Sequence, residues 1–395
     1  MKILILNKSD SFGGTATLAC SERDLLRENH GVQTLFAAAA HHQKETIALR
    51  NGAQSFIEKS IDFIDRKRGV MYENLHFSGD NLLTLIKKEK PDFVHLHNLH
   101  GGYLSIDILP QIAALTTLAW NINDMWPLTA HCSVTNGCEA WKTRCKECSH
   151  LTTYPSIGID KTEDIFAKRL KIYKQTDFIP VVPSLYMQKM VSESPLFEGK
   201  TPVLISPGVD STIFSPGFTQ KKPDSLLFVA ERPSNRDKGF EIAKTAIIQA
   251  AETLQKRLIF TTVTREPVSI DHPLIDHQQF SYISSHELAK RYQESELLIS
   301  PTAGETFGFT LIESAACGTP FLAPDNTAIP EHTKRLGLTP VAERTADAFA
   351  TRILEHLSQN SKNSLSGEEL AQNARYYSEK ETIQRYFHFF EGLSP

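Results

Sequence analysis

The sequence lacks several features that define specialised protein classes. It has no run of the roughly 18 to 20 apolar residues that a helix needs to cross a bilayer. Its net charge is only −4, so no excess of positive charge favours nucleic-acid binding. No secretory apolar region with a cleavage site follows Lys2. We therefore expect a cytoplasmic protein that binds no nucleic acid.

The composition is otherwise that of an ordinary globular protein. Hydrophobic residues make up 41% and charged residues 22% of the 395 residues, which excludes a disordered or fibrous chain. This length exceeds what one hydrophobic core usually serves, so we expect two domains.

Short apolar runs alternate with amphipathic segments along both halves of the chain. KILILN, DFVHLH and TLAWNI in the first half, and SLLFVAE, RLIFTTV and ELLIS in the second, are separated by helical patterns such as residues 15–29. Strands separated by helices indicate βαβ units and parallel sheets. The predicted fold class is α/β, with two doubly wound domains.

The domain boundary is marked by Pro, Gly, Ser and Lys, which accumulate in GVDSTIFSPGFTQKKPDS. We place the first domain at residues 1–212 and the second at residues 213–379. The last segment, residues 380–395, has aromatic residues at helical spacing, and we expect it to pack back on the first domain.

The most informative segment is SPTAGETFGFTLIESAACGTP, residues 300–320, which predicts a strand end, a loop and a helix. Glu305 lies in the loop and Glu313 on the helix. Such a helix N-terminus at the carboxyl end of a parallel strand favours phosphate. Carboxylates beside it would accept hydrogen bonds from sugar and ribose hydroxyls. The alternative is a pair of solvated surface glutamates.

This segment resembles the E-x(7)-E signature of the retaining GT-B glycosyltransferases of glycosyltransferase family 4. The resemblance covers most of the chain and implies a GT-B fold, with two Rossmann-like domains facing a cleft. It implies that Glu305 is a catalytic residue that binds the donor sugar and that Glu313 binds the ribose, with Phe307 and Gly308 in the same donor site. The partners it implies are a nucleotide-sugar donor and a saccharide or lipid-linked acceptor.

Cationic residues follow the first strand of the second half, in FVAERPSNRDKGFEIA. Such groups suit a diphosphate and stabilise it as a leaving group. In the family an Arg and a Lys-Gly pair do this, which assigns catalysis and donor binding to Arg232 and Lys238. The spacing of Arg232 is one residue longer than usual, so Arg236 is the alternative. Ordinary surface charges would also fit.

Two glycines, Gly13 and Gly14, follow the first strand and open a helix. Glycines there let bare backbone amides approach a ligand, although a tight turn explains them equally well. The family has a glycine-rich loop at this place beside the donor pyrophosphate, so both glycines are assigned to the donor.

Three histidines occur in PDFVHLHNLHGGYL, where His95 and His97 share one face of a strand and His100 lies in the next loop. The run resembles the family's segment near the acceptor cleft, which assigns His97 and His100 to the acceptor. Metal binding and a hydrogen-bonded core histidine are the alternatives.

The segment WNINDMWPLTAHC resembles a subgroup of bacterial family 4 enzymes that make exopolysaccharide or O-antigen. Those usually have His-Asp where this chain has Asn123 and Asp124, the remaining catalytic candidates. Asn cannot titrate near neutrality. Either Asn123 positions the substrate alone, or the sugar preference has changed, or activity is impaired.

Four of the six cysteines cluster as C-x(5)-C-x(6)-C-x(2)-C: Cys132, Cys138, Cys145 and Cys148. In a reducing cytosol such a cluster is more often a metal site than a pair of disulfides. We expect a structural zinc ion, with disulfides or free thiols as alternatives.

The sequence thus predicts a retaining glycosyltransferase of surface polysaccharide or glycolipid synthesis that needs no catalytic cofactor. The alternatives are a nucleotide-sugar epimerase or phosphorylase and a non-catalytic scaffold subunit. The helix in KTEDIFAKRLKIYKQ either meets anionic lipid, which would put the protein at the inner face of the membrane, or is simply a solvated amphipathic helix.

Overall fold

The computed structural model describes residues 1–11, 13–135, 137–217, 220–358 and 365–394. These residues form two compact units: Met1–Ser206 with Thr382–Pro395, and Pro207–Glu381. The expected boundary after Thr212 lies inside the second unit. The reason is a pair of backbone hydrogen bonds: Val209 N donates to Tyr377 O at 2.8 Å, and Glu379 N donates to Val209 O at 3.0 Å.

The first unit is a seven-stranded sheet with strand order β3-β2-β1-β4-β5-β6-β7, in which every pair is parallel. Its strands are β1 Lys2–Ser9, β2 Gln33–Ala40, β3 Ile47–Ala48, β4 Phe93–Leu96, β5 Thr117–Asn121, β6 Ile179–Val182 and β7 Val203–Leu204. Its helices are α1 Gly14–His30, α2 Gly52–Lys67, α3 Phe77–Glu89, α4 Leu109–Ala113, α5 Thr162–Gln175 and α6 Leu185–Glu193.

The sheet of the first unit is buried on both faces, which explains why its strands are apolar throughout rather than alternating. In β1, Leu4 and Leu6 belong to one core cluster, whereas Ile3 and Ile5 belong to the cluster on the opposite face. The latter cluster includes aromatic residues of the C-terminal helix α13, Glu379–Leu393. The chain end expected to pack on the first domain therefore forms part of its core.

Helix α5, which we considered as a lipid-binding helix, is packed in the first unit. Phe166 and Tyr173 on its apolar face belong to the main core cluster, and Arg169 on the same face is also buried. Its apolar residues are therefore covered by protein rather than available to lipid, as expected of an amphipathic helix with its polar face in solvent. Within the described part of the chain, no helix is long and apolar enough to cross a bilayer.

The second unit has a five-stranded parallel sheet with strand order β10-β9-β8-β11-β12. Its strands are β8 Ser225–Ala230, β9 Leu258–Thr264, β10 Ile275–Phe280, β11 Leu297–Ile299 and β12 Phe321–Leu322. Its helices are α7 Phe240–Leu254, α8 Ser285–Glu294, α9 Phe309–Ala316, α10 Ile329–Leu336, α11 Ala346–Ser358 and α12 Gly367–Ala374.

Two core clusters cover the faces of the second sheet as well. Leu226 and Phe228 of β8 pack with α7 and α11, while Leu227 packs with α8, α9 and α12. In each unit the strand order reverses beside a central strand: β1 lies between β2 and β4, and β8 lies between β9 and β11. Such switch points are where open parallel sheets bind ligands, at the carboxyl ends of the strands.

Candidate functional site

The switch point of the second unit brings a lysine and a glutamate together. Lys238 lies in the loop after β8, and Glu305 lies in the loop after β11. Because β8 and β11 are parallel neighbours, both loops leave the same edge of the sheet. The Lys238 Nζ atom donates to Glu305 Oε1 at 2.7 Å. The two residues assigned from separate motifs therefore meet in one site.

Neighbouring residues hold the Glu305 carboxylate in position. The Thr302 hydroxyl donates to Glu305 Oε1 at 3.0 Å, and the backbone N–H of Glu305 donates to the Thr327 hydroxyl at 2.9 Å. The Glu305 side chain is still 21% exposed. The carboxylate is thus oriented by the protein and remains within reach of a ligand.

The loop that carries Lys238 fits closely against the end of β11. Gly239 has a φ of +73°, and a Cβ atom there would collide with the Pro301 carbonyl oxygen. Arg344 links this loop to the end of β11. Its Nε donates a hydrogen bond to Pro301 O at 2.7 Å, and its Nη2 donates one to Arg236 O at 2.8 Å. Sequence reasoning missed Arg344, because nothing in its local sequence marks it.

Both arginine candidates are exposed in the loop after β8. Within the described residues, neither the Arg232 nor the Arg236 guanidinium forms an ion pair. Either side chain is therefore free to bind an anion, and the choice between them stays a prediction.

The start of α9 presents backbone rather than side chains. Gly308 is the N-cap residue with a φ of +92°, and no side chain caps the helix. The Phe307 ring is only 3% exposed and packs against the rings of Phe309, His332 and Tyr377. The Phe307 side chain therefore belongs to the core, and any contact of this residue with the donor would come from its backbone.

A second residue that sequence reasoning missed is His332, which anchors the loop before α9. Its Nε2 lies 2.6 Å from Phe307 O and its Nδ1 lies 2.8 Å from the Tyr377 hydroxyl. Burial lowers the pKa of His332 to about 4, so the ring is neutral. The partners then indicate that Nε2–H donates to the carbonyl and that Nδ1 accepts from Tyr377.

Glu313 lies on α9, partly buried, and accepts a hydrogen bond of 3.0 Å from the Tyr292 hydroxyl. Burial raises its pKa from the ordinary value of 4.5 to about 7, against the opposing effect of the Tyr292 hydrogen bond. A carboxyl group that titrates near neutrality, beside the anion-favouring start of a helix, is typical of functional sites.

Replacing Glu313 by Gln should change how stability depends on pH. The Glu313 carboxyl group loses its proton near pH 4.5 in the unfolded chain and near pH 7 in the folded chain. Between these two pH values the folded chain holds one proton more than the unfolded chain. The free energy of unfolding of the wild-type protein therefore falls as the pH rises through this window. Relative to wild type, Glu313→Gln should therefore gain thermal stability between about pH 5 and about pH 8. Melting temperatures measured across this range check the prediction, and parallel profiles for the two proteins would contradict it.

The switch point of the first unit contains the glycine pair. Gly13 is the N-cap of α1 with a φ of +86°, and no side chain caps this helix. Since a Cβ atom on Gly13 would meet no neighbour within 4 Å, the backbone conformation rather than space favours glycine there. Gly14 is the first residue of α1, whose amino end therefore offers free backbone N–H groups.

His100 and Asp124 meet beside the same sheet edge. His100 Nε2 lies 2.7 Å from Asp124 Oδ2, and Asp124 Oδ1 accepts from the Trp126 backbone N–H at 2.9 Å. Asn123 lies next to them, in the loop after β5. The sequence assigned these three residues from two motifs, and the structure makes them neighbours.

His97 lies in the interior instead. It is 1% exposed, and its Nε2 lies 3.0 Å from Oε2 of the buried Glu22, whose other oxygen lies 2.7 Å from His95 Nδ1. Burial raises the pKa of Glu22, but the two histidines outweigh burial and lower it overall. His97 is therefore a hydrogen-bonded core histidine, and its acceptor assignment is corrected for this reason. Nothing in the local sequence marks Glu22 as the partner of the two histidines. The side chains of Glu22, His95 and His97 together carry the ligand atoms that could hold a metal ion.

The four clustered cysteines line one cavity of the first unit, together with His131. All are free thiols, which does not support the disulfide alternative.

Comparison with known proteins shows a family similarity in the second unit. Residues 223–359 match the family described as Glycosyl transferases group 1. The chain is 29% identical over 99 residues to the "Putative colanic acid biosynthesis glycosyl transferase WcaC" of Escherichia coli K12, and 26% identical over 140 residues to the "D-inositol 3-phosphate glycosyltransferase" of Paenarthrobacter aurescens. These alignments cover 23% and 30% of this chain, and only 24% and 33% of the relatives.

Solved structures match the whole chain in fold. The sucrose-phosphate synthase of Thermosynechococcus elongatus superposes with a TM-score of 0.71 at 15% identity, covering 99% of this chain and 98% of that one. The pneumococcal O-GlcNAc transferase GtfA, solved with UDP and GlcNAc, superposes with a TM-score of 0.63 at 12% identity, with 99% of each chain covered. Residues 223–359 thus match the glycosyl transferases group 1 family, and the GT-B fold predicted for the chain is confirmed.

Proposed function

We propose that this protein is a retaining glycosyltransferase of the family 4 type, which moves a sugar from a nucleotide-diphosphate donor to an acceptor hydroxyl during surface polysaccharide or glycolipid synthesis. One observation carries the proposal. Lys238 and Glu305 meet at 2.7 Å at the switch point of the group 1 domain, beside a helix start that no side chain caps. This site combines a cation for phosphate with a carboxylate for sugar hydroxyls.

The donor would bind in the second unit. Lys238 and Arg232 would neutralise the diphosphate, with the free N–H groups at the start of α9 as further donors. Glu305 would accept hydrogen bonds from the sugar and Glu313 from the ribose hydroxyls. Before the donor binds, the ion pair with Glu305 holds Lys238 in place, and the donor phosphates would then share that ammonium.

The reaction would consist of one exchange at the anomeric carbon. The bond from this carbon to the phosphate oxygen breaks, the acceptor oxygen bonds to the same face, and the acceptor proton passes to the leaving phosphate. The protein then needs no separate base. Its contribution is to orient the reactants and to stabilise the negative charge that develops on the diphosphate.

The acceptor would contact the first unit at His100, Asn123 and Asp124. The 2.7 Å hydrogen bond fixes the His100 ring against Asp124. Together with the Asn123 amide, these groups supply both donors and acceptors for a sugar hydroxyl. An acceptor saccharide is therefore a better match than an apolar molecule. The assignment of Gly13 and Gly14 to the donor pyrophosphate rests on the family resemblance alone.

The names of the similar proteins agree with this proposal. The colanic acid enzyme is named as a glycosyl transferase of biosynthesis, and the pneumococcal transferase was solved with UDP and GlcNAc. These names support a nucleotide-sugar donor and a carbohydrate product for this chain, and a uridine nucleotide is the first donor to try.

The test is to incubate the chain with UDP-, GDP- and ADP-sugars, with and without a lipid-linked saccharide extract. We expect acceptor-dependent release of a nucleoside diphosphate, and NMR of the product should show a retained anomeric configuration. Inversion would overturn the retaining mechanism. Isomerised donor without acceptor would favour an epimerase, and no turnover of a donor that binds would favour a scaffold subunit.

Helix α2 offers a surface for the peripheral membrane contact that we propose as part of this function. Two aromatic side chains are exposed on one face of α2, Phe56 at 73% and Phe63 at 59%, and Ile57 and Ile64 beside them are exposed as well. The exposed basic residues near this face are Lys59, Lys67 and Arg68. Apolar and basic groups together are typical of helices that lie on anionic membranes.

Helix α2 also lies beside the proposed acceptor residues. Gly102 follows His100 in the same loop, and a Cβ atom on Gly102 would come within 2.7 Å of Asp62 Oδ2 on α2. A lipid-linked acceptor bound at a membrane under α2 would therefore start close to His100.

Removing both exposed phenylalanines should weaken vesicle binding. We expect Phe56→Ser with Phe63→Ser to lower co-sedimentation with vesicles of anionic lipid about tenfold or more, because each buried aromatic side chain contributes roughly 1.5 to 3 kcal/mol. Tyr282→Ser, which removes a 79% exposed ring from the second unit, is the matched control. Equal binding by all three proteins would contradict the surface assigned to α2.

A further inference from the structure

The loop from Thr129 to Ile157 contains little regular structure. Among its described residues, the one helical segment is the 3-10 turn Ala140–Lys142. The Trp141 side chain in this turn is buried, with 3% of it exposed. Cys132, Cys138, Cys145 and Cys148 line a cavity of about 90 Å³ inside it. A loop of this length with so little backbone pairing needs another source of stability.

The imidazole ring of His131 contacts two of these sulfur atoms. His131 Nε2 lies 3.3 Å from Cys132 Sγ and 3.6 Å from Cys148 Sγ. In a tetrahedral zinc site with Zn–S near 2.3 Å and Zn–N near 2.0 to 2.1 Å, a nitrogen and a sulfur ligand are roughly 3.6 Å apart. The two nitrogen–sulfur distances are thus close to those between ligands of one ion.

The other nitrogen of His131 has the partner that a metal-binding histidine usually has. His131 Nδ1 lies 2.9 Å from the carbonyl oxygen of Pro155, so Nδ1 carries the proton and donates it. This leaves a lone pair on Nε2, 3.6 Å from Cys148 Sγ. Cys132 Sγ lies beside the ring, 3.3 Å from Nε2 and 3.7 Å from Nδ1. Backbone contacts prepare the sulfurs as well, since the His150 N–H donates to Cys148 Sγ at 3.3 Å.

We propose that the cysteine cluster binds one structural zinc ion, most of whose ligands are cysteine sulfur atoms. The nearest nitrogen ligand would be His131 Nε2. The thiolates come from Cys132, Cys138, Cys145 and Cys148, of which Cys145 and Cys148 form the compact C-x(2)-C pair. Four of these five groups would close the coordination sphere, so the ion would be structural.

The ion would also fix residues of the proposed acceptor site. Met125, the residue after Asp124, donates its backbone N–H to Ser133 O at 3.1 Å. Cys132 precedes Ser133, and its backbone carbonyl accepts from the Thr129 hydroxyl at 2.7 Å. A zinc ion bound to Cys132 would fix the neighbouring Ser133. Through the Met125–Ser133 hydrogen bond it would also restrain Asp124, at the other end of this segment.

Metal analysis of the purified full-length chain tests this inference independently of activity. We expect one zinc ion per chain, and X-ray absorption at the zinc edge should show three or four sulfur neighbours at about 2.3 Å. A chain that binds no zinc when zinc is supplied, or a zinc shell made mainly of oxygen and nitrogen, would overturn the proposal.

Single substitutions locate the site. Cys148→Ser should lower the zinc content at least tenfold, while Cys20→Ser, which changes a half-buried cysteine outside the cluster, should retain it. If Cys148→Ser does not fold, the measurements on the wild-type chain decide. An unchanged zinc content in a folded Cys148→Ser, or disulfides within the cluster of the wild-type chain, would refute the site.

Discussion

Glu305→Gln is expected to lower kcat for nucleotide-sugar turnover about 10²- to 10³-fold, the usual effect of removing one preorganised electrostatic contact to the transition state. The change keeps the shape of the side chain and removes its charge. Lys238 then loses the carboxylate that lies 2.7 Å from its Nζ atom, and the donor sugar loses a charged acceptor. Initial rates at saturating donor measure the effect.

A matched control for this variant is Glu355→Gln. Glu355 also belongs to the second unit and forms an ion pair, at 3.5 Å with Arg352 on the surface of α11. This control should keep wild-type turnover, because exposed ion pairs contribute little. Wild-type turnover in a folded Glu305→Gln would refute the role of Glu305.

Lys238→Met is expected to lower kcat about 10²-fold and to raise KM for the donor. The ammonium of Lys238 is the cation held beside Glu305, and it is 39% exposed, so phosphate oxygens can reach it. Without it, the departing diphosphate would keep Arg232 and backbone N–H groups as donors. Steady-state kinetics with the donor varied separates the two effects.

Lys256→Met serves as the control for the lysine. Lys256 is 56% exposed and pairs with Asp224 at 2.6 Å in the same unit, so the variant removes an equivalent surface ion pair. We expect its kinetics to match wild type. Should both lysine variants lose activity equally, loss of stability rather than loss of phosphate binding would be the cause.

The sequence was most informative where the relevant residues are close in the chain and flank a predicted strand. Glu305 and Lys238 each follow a parallel strand, and parallel strands end at a common edge. Their meeting was therefore predictable once β8 and β11 were known to be neighbours. His100 and Asp124 follow the same rule in the first unit, after β4 and β5.

Residues that reach the site from distant elements were not predictable. Arg344 and His332 hold the loops of the second unit through bonds to backbone carbonyls. Such bonds depend on tertiary packing and leave no local pattern in the sequence. Phe307 lies inside the recognised motif, yet its ring packs beneath the site, because a motif does not show which way each side chain points.

The error at His97 has a similar cause. Alternation placed His95 and His97 on one face of β4 but could not show what covers that face. Glu22 of α1 packs over this face of β4, and its carboxylate forms hydrogen bonds with both imidazole rings. A buried carboxylate needs hydrogen-bonding partners, and His95 and His97 are those partners inside the core.

Hydrogen exchange with a bound nucleotide-sugar tests the central claim most directly. If the switch point of the second unit binds the diphosphate, the donor that stabilises the protein should protect backbone amides in residues 232–239 and 302–313, and Glu305→Gln should reduce that protection. Protection confined to other segments, or no protection by any nucleotide-sugar, would contradict the account.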